Sequence, residues 1–199
     1  MQSENLLIFP TLVKKITNFL TANECNSIVS NLNLFNFKSH SALTGNSSSN
    51  HNGTQAIYVL NIIDKYFPIN QRVFSTINDY AEQLGTDKLG IDNSWINIQG
   101  PGSELNPHTH PTSIVSGALY IKIDSNSSGI QFVNPNPYLD MVDMVTTSYS
   151  SKNMIIKPSV GDLLLFPSWL KHGSDSTNMS EQRIVLSFNT GYIKNNLPC

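Results

Sequence analysis

Gly161-Asp162-Leu163-Leu164-Leu165-Phe166-Pro167-Ser168-Trp169-Leu170-Lys171-His172, followed after a polar stretch by Arg183-Ile184-Val185-Leu186-Ser187-Phe188-Asn189, is the passage on which the fold turns. Gly161-Asp162 reads as a tight turn into a buried strand, and Pro167 ends that strand because proline cannot donate to a ladder. His172 then opens the next strand or the turn into it. The expected role of Phe166, Trp169 and Leu170 is core packing.

Working backward from this passage, short β-branched or alternating runs are separated by Gly, Pro, Asn and Ser: Trp95–Ile98, Ile114–Ile123, Ile130–Val133, Met144–Ser148, Met154–Ile156, Asp162–Phe166 and Arg183–Thr190. Many short strands at such spacing predict a sandwich or barrel. The first ninety residues differ. Thr21-Ala22-Asn23-Glu24 forms a capping box with Leu20 as its staple residue, so a helix is expected from about Ala22 to Asn31. Val73, Phe74, Ile77, Tyr80, Ala81 and Leu84 repeat helically from about Asn70, and Gly85 stands where a C′ glycine belongs. Two helices should cover one outer face of a mainly β fold. Between them, residues 44–54, TGNSSSNHNGT, have almost nothing to bury and read as a mobile loop, a lid or a surface insertion.

A chain of 199 residues with 39% hydrophobic content suits one domain, residues 1–90 supporting a β core at 91–193. Net charge is −2 and only 13% of residues are charged, so no basic field favours nucleic acid. No run of about eighteen apolar residues suggests a membrane span, and residues 1–10 lack a cationic, then apolar, leader. Two cysteines, Cys25 and Cys199, make no disulfide framework, which fits a reducing cytoplasm. The sequons at Asn46, Asn52, Asn126 and Asn178 carry no weight in such an Asn/Ser-rich chain.

Three of the five histidines fall as His108-Thr109-His110 and His172. Side chains two apart on a strand share a face, so His108 and His110 can meet one ion while His172 arrives from a neighbouring strand. Imidazole suits iron, zinc, copper or nickel, and a lone H-x-H pair is more often an accident of surface or core. His40 and His51, in the polar region, read as ordinary histidines. Arg183, one of two arginines, adds a fixed cationic fork for a carboxylate. Together these residues suit a non-haem iron centre whose co-substrate carries a carboxylate.

The segments His108-Thr109-His110, Ser116-Gly117-Ala118-Leu119-Tyr120, Phe166 to His172 and Arg183 to Asn189 resemble the 2-oxoglutarate and Fe(II)-dependent oxygenases, over about residues 94–192. The resemblance is strongest to a family common in marine bacteria and their phages. It implies a double-stranded β-helix, or jelly-roll, core. It also implies Fe(II) at His108, His110 and His172, with 2-oxoglutarate and dioxygen as co-substrates and Arg183 on the distal carboxylate. Ser187, Tyr120 and Asn97 are expected to line the co-substrate pocket. Two departures stand out: Val185 replaces the serine of the usual R-x-S pattern, and His110 occupies the position of the usual Asp or Glu. All three histidines binding, two binding with water, and a degenerate pocket are each compatible with the sequence. The expected activity is hydroxylation of a peptidyl side chain or a small molecule. A non-catalytic jelly-roll binding module and a three-histidine dioxygenase without 2-oxoglutarate compete with it. The primary substrate is unassigned and oligomerisation is left open.

Overall fold

The computed structural model describes residues 3–51, 58–141, 143–175 and 178–193. Its first half runs β1 (Lys14–Ile16), α1 (Ala22–Ser30), β2 (Leu43–Thr44), β3 (Ser47–Ser49), α2 (Tyr58–Ile63) and α3 (Asn70–Gln83). There follow β4 (Leu89–Gln99), β5 (Glu104–Leu105), β6 (Val115–Lys122), β7 (Ile130–Val133), β8 (Asn153–Ile156), β9 (Leu163–Pro167), β10 (His172–Ser174) and β11 (Arg183–Tyr192). One large antiparallel sheet has the order β1-β9-β6-β11-β4-β3, and a smaller one the order β10-β7-β8. A two-stranded ribbon of β2 and β5 and an antiparallel bridge from His108 to His172 continue the small sheet's side. This is the two-sheet, mainly β architecture expected from the strand spacing.

Period-two alternation decides which residues face which layer. On β11, Ile184, Leu186 and Phe188 join one core with Ile96 of β4 and Leu119 of β6, and α1, α2 and α3 cover it through Ile28, Leu60, Val73 and Ile77. The alternate residues Ala118, Tyr120, Leu164, Phe166 and Val185 face the small sheet, where Ile130 and Phe132 complete a second core. The candidate site lies in this inter-sheet layer.

Local chemistry holds the helices as the sequence predicts. The Thr21 hydroxyl accepts from the Glu24 amide at 3.2 Å and the Glu24 carboxylate accepts from the Thr21 amide at 2.8 Å, closing the capping box. Arg72 of α3 adds a 2.9 Å ion pair to Glu24, tying the two helices together. Gly85 follows α3 at φ +70°, as a C′ glycine should. No helix among the described residues is long and apolar enough to cross a membrane.

Several expectations are corrected. Residues 44–49 are no loose loop: β2 pairs with β5, and β3 pairs with β4 in the register Ser47↔Gln99, Ser49↔Asn97. Backbone pairing at the edge of the large sheet anchors a segment with little to bury; residues 52–54 of that stretch lie outside the described residues. Met144–Ser148 forms no strand, because Met144 and Val145 are exposed and have no layer to pack on. Trp169 is 56% exposed and does not join the core that takes Phe166 and Leu170. Among the described residues three α-helices, not two, cover the outer face.

Candidate active site

The three histidines predicted to act together meet at one point. His108 and His172 exchange backbone hydrogen bonds of 2.9 Å in each direction, while the His110 amide donates to the Ser168 carbonyl at 3.0 Å. One imidazole nitrogen from each of the three lies within 4.8 Å of the other two. His108 Nδ1 lies 2.8 Å from the Asn106 carbonyl, and His172 Nδ1 lies 2.8 Å from the Leu170 carbonyl. A carbonyl only accepts, so both Nδ1 atoms carry the proton and both Nε2 lone pairs are left for a metal. Burial pushes the His172 imidazole down to about 4 and His110 down to about 3, the latter helped by the neighbouring His172, His108 and His51. His110 and His172 are therefore neutral donors at physiological pH. Such a nitrogen set fits Fe(II), though it fits other borderline metals too.

The motif residues around the triad have a structural logic. Ser116 Oγ donates to Asn189 Oδ1 at 2.8 Å and lies 2.9 Å from Ser168 Oγ, so β6, β11 and the turn after β9 share one buried network. Ser168 thereby fixes the carbonyl on which the His110 backbone rests. At Gly173 an added Cβ would stand 2.4 Å from the Leu105 carbonyl oxygen, so only glycine lets β10 pass this close to the His108 segment.

Arg183 is buried, 4% exposed, and is held from three sides. Nη1 donates to Gln99 Oε1, and Nε donates to the Ser128 carbonyl at 3.1 Å. The guanidinium also lies 5.5 Å from the centre of the Tyr120 ring. Burial lowers the pKa of Arg183, with Tyr120 and Asp175 opposing that effect. Gln99 Nε2 in turn donates to Ser174 Oγ at 3.2 Å, linking the arginine to the strand that carries His172. Gln99 belongs to no motif of the sequence. Its signal was positional, since Gln99 stands directly across from Arg183 in the β4–β11 ladder.

A cavity of about 230 Å³ unites these groups, and His108, His110, His172, Arg183, Tyr120, Asn97 and Ser187 all line it. Ser187 pairs with Trp95, four residues from Arg183 and its partner Gln99. That separation is about 13 Å along a strand. The remaining histidines, His40 and His51, read from sequence as ordinary histidines of a polar region, also line the cavity. They arrive on the segment that β3 pins to β4, a long-range pairing that no local pattern announces.

Residues 93–189 match the family model described as "Putative 2OG-Fe(II) oxygenase". No curated protein matches the chain. Among solved structures, HygX from Streptomyces hygroscopicus with nickel and 2-oxoglutarate bound superposes with a TM-score of 0.68 at 12% identity, over 92% of this chain and 84% of that one. A 2OG-Fe(II) oxygenase family oxidoreductase from Burkholderia pseudomallei gives 0.64 at 12% identity, over 90% and 85%. A Pseudomonas putida prolyl-4-hydroxylase gives 0.54 at 15% identity, over 92% and 94%. At these identities the likeness is one of fold, the double-stranded β-helix. Together with the family match across β4 to β11, it identifies the chain's β core, residues 93–189, as that of a 2-oxoglutarate- and Fe(II)-dependent oxygenase.

Proposed function

We propose that His108, His110 and His172 all ligate Fe(II), and that Arg183 with Tyr120 binds the distal carboxylate of 2-oxoglutarate for hydroxylation of a protein side chain. The observation that carries this is the placement of a buried, always-charged guanidinium and a three-imidazole cluster in one cavity. A structural metal site has no use for Arg183, and a dioxygenase without 2-oxoglutarate has none either. Bound there, the metal and co-substrate would supply the oxidation: 2-oxoglutarate would lose carbon dioxide and take up one atom of dioxygen to become succinate, and the other atom would enter a substrate C–H bond.

The protein's part is to bind, orient and exclude water. Gln99 and the Ser128 carbonyl hold the guanidinium plane, leaving its remaining face and the Tyr120 hydroxyl for a carboxylate. Asn97, between the levels of Arg183 and Trp95, offers an amide to the co-substrate's middle. Ser187 stands four residues from Arg183 on the same face of β11, about 13 Å away measured along the backbone, and its hydroxyl lines the far part of the same cavity. A cavity of about 230 Å³ is below the usual range of about 300–1,000 Å³ for ligand pockets, which favours a side chain over a bulky metabolite. The prolyl-4-hydroxylase neighbour lends the same support. The buried free thiol of Cys25 suits a reducing cytoplasm, a host's if a phage encodes the chain.

An anaerobic titration of the protein with Fe(II) and 2-oxoglutarate tests the site. A visible charge-transfer band that saturates at one equivalent, and is lost in His172→Ala, is expected. Metal binding without any band for the chelate would favour the binding-module reading.

A further inference from the structure

Five histidines and one tryptophan line a single cavity, yet three imidazoles complete a metal site. The other rings form a continuous arc. Trp95 lies 5.9 Å from His110, His51 lies 4.8 Å from Trp95 at 79°, and His40 lies 5.1 Å from His51 at 89°. Edge-to-face contacts of this kind leave ring faces free for a further ring to pack against. Trp95 stands at the level of Ser187, four residues along β4 from Gln99, the partner of Arg183. The histidine segment of the arc is fixed by the β3–β4 pairing, and His40 Nδ1 is itself tied down by the Ala42 amide at 3.2 Å.

Charge narrows the class of ligand. Among the described residues that line the cavity, none is Asp, Glu or Lys, and the sole permanent charge is Arg183. Three neutral imidazoles leave a divalent metal facing only the near carboxylate of 2-oxoglutarate, since Arg183 takes the distal one, so the metal end keeps a net positive charge that a carboxylate ligand would have cancelled. A cationic substrate group entering beside the metal would meet no counter-charge and would lose its hydration. Leu43 and Leu105 add apolar surface on the same wall.

From this arc we infer that Trp95, His51 and His40 are the primary-substrate subsite, and that it seats an uncharged ring. The inference rests on the proposed co-substrate site and deepens it. Among natural side chains, the subsite selects neutral rings over lysine and arginine.

The protein's two tryptophans make a direct test, because Trp95 lines the cavity while Trp169 is exposed elsewhere. In a Trp169→Phe background, the anaerobic complex with Fe(II) and 2-oxoglutarate is titrated with benzamide, its isosteric cation benzamidinium, and acetamide, while Trp95 emission is followed. Benzamide should quench saturably, at least about tenfold more tightly than benzamidinium or acetamide. His51→Ala should weaken benzamide severalfold and His51→Phe should retain it, which separates loss of a ring from loss of fold. Equal or tighter binding of benzamidinium, or no saturable benzamide binding while the chelate band is intact, overturns the ring seat alone. Failure of the chelate band to form in the parent protein overturns the co-substrate site, and this inference with it.

Discussion

His108 and His172 are cross-strand partners, their backbones exchanging two hydrogen bonds of 2.9 Å, so two of the three candidate ligands are fixed by the ladder itself. Closely paired residues of an antiparallel bridge keep their side chains on one face. The bridge depends on Gly173, whose position admits no Cβ beside the Leu105 carbonyl at 2.4 Å. Gly173→Ala should therefore push β10 from the His108 segment, costing about 1–3 kcal/mol of stability. Fe(II) affinity should fall with it. Thermal unfolding and metal titration check this, and an unchanged metal affinity would show that the ladder does not set the ligand geometry.

Fe(II) and 2-oxoglutarate should raise the unfolding temperature together by more than the sum of their separate effects. The chelate would join the strand of His172 to that of Arg183, and ligands that bind only the folded state stabilise it by mass action, about 2.7 kcal/mol at a hundredfold excess over Kd. Scanning calorimetry with each ligand alone and with both supplies the comparison. Strictly additive shifts would speak against a shared site.

Arg183→Lys should weaken 2-oxoglutarate by about 1.5–3 kcal/mol while leaving metal affinity nearly unchanged, since lysine keeps the charge and loses the two-point fork. Gln99→Leu should reproduce part of this effect, because Gln99 holds the guanidinium without approaching the metal itself. Parallel titrations of metal and co-substrate separate the two affinities. Equal losses in both would make Arg183 a fold residue.

The metal-free protein should lose stability on mild acidification. In the folded state burial holds His110 at about 3 and His172 at about 4, below the ordinary histidine value of 6.5. Between these values the unfolded chain binds protons that the folded chain refuses, so this contribution is complete above about pH 6.5 and is lost as pH falls toward 4 and then 3. Asp162 and Glu24, with lowered pKa values, add their losses only below the carboxylate range. Urea midpoints at pH 7, 6 and 5 isolate the histidines. A saturating metal should flatten the curve, because ligation keeps protons off the rings.

The parts legible in the sequence were those written in local chemistry. The capping box at Thr21 and the strand Ile130–Val133 lie where their residues put them, because side-chain caps and flanking turn residues act over a few positions. The cluster of His108, His110 and His172 was legible because strand periodicity fixes faces. His40 and His51 were not, since Ser47–Ser49 reaches β4 by pairing across about fifty residues of chain. Val145 misled because β-branched composition predicts a strand only where a layer exists to bury it, and this residue is 85% exposed. Trp169 misled for the complementary reason: a motif tryptophan between Ser168 and Leu170 turns outward while both neighbours turn in.

The ligand set gives the sharpest test, because His110 stands where a carboxylate is usual. With all three imidazoles on the metal, His108→Ala, His110→Ala and His172→Ala should each lower Fe(II) affinity substantially. His110→Asp should keep or improve it by restoring two histidines and one carboxylate. The same Asp should weaken the metal-free protein, because a carboxylate would replace a neutral ring in a site whose burial already drives His110 down to about 3. Opposite signs in the two states, lower stability without metal and equal or higher affinity with it, identify position 110 as a ligand position. A two-histidine site gives a different pattern: His110→Ala retains iron while His108→Ala and His172→Ala lose it. His108 has its Nδ1 on the Asn106 carbonyl and its backbone on His172, so its imidazole is aimed by two independent contacts. His110 is positioned through its backbone on Ser168. Ser168→Ala should consequently lower metal affinity less than His110→Ala and leave affinity in the His110→Ala background unchanged, as expected of a residue that acts only through His110.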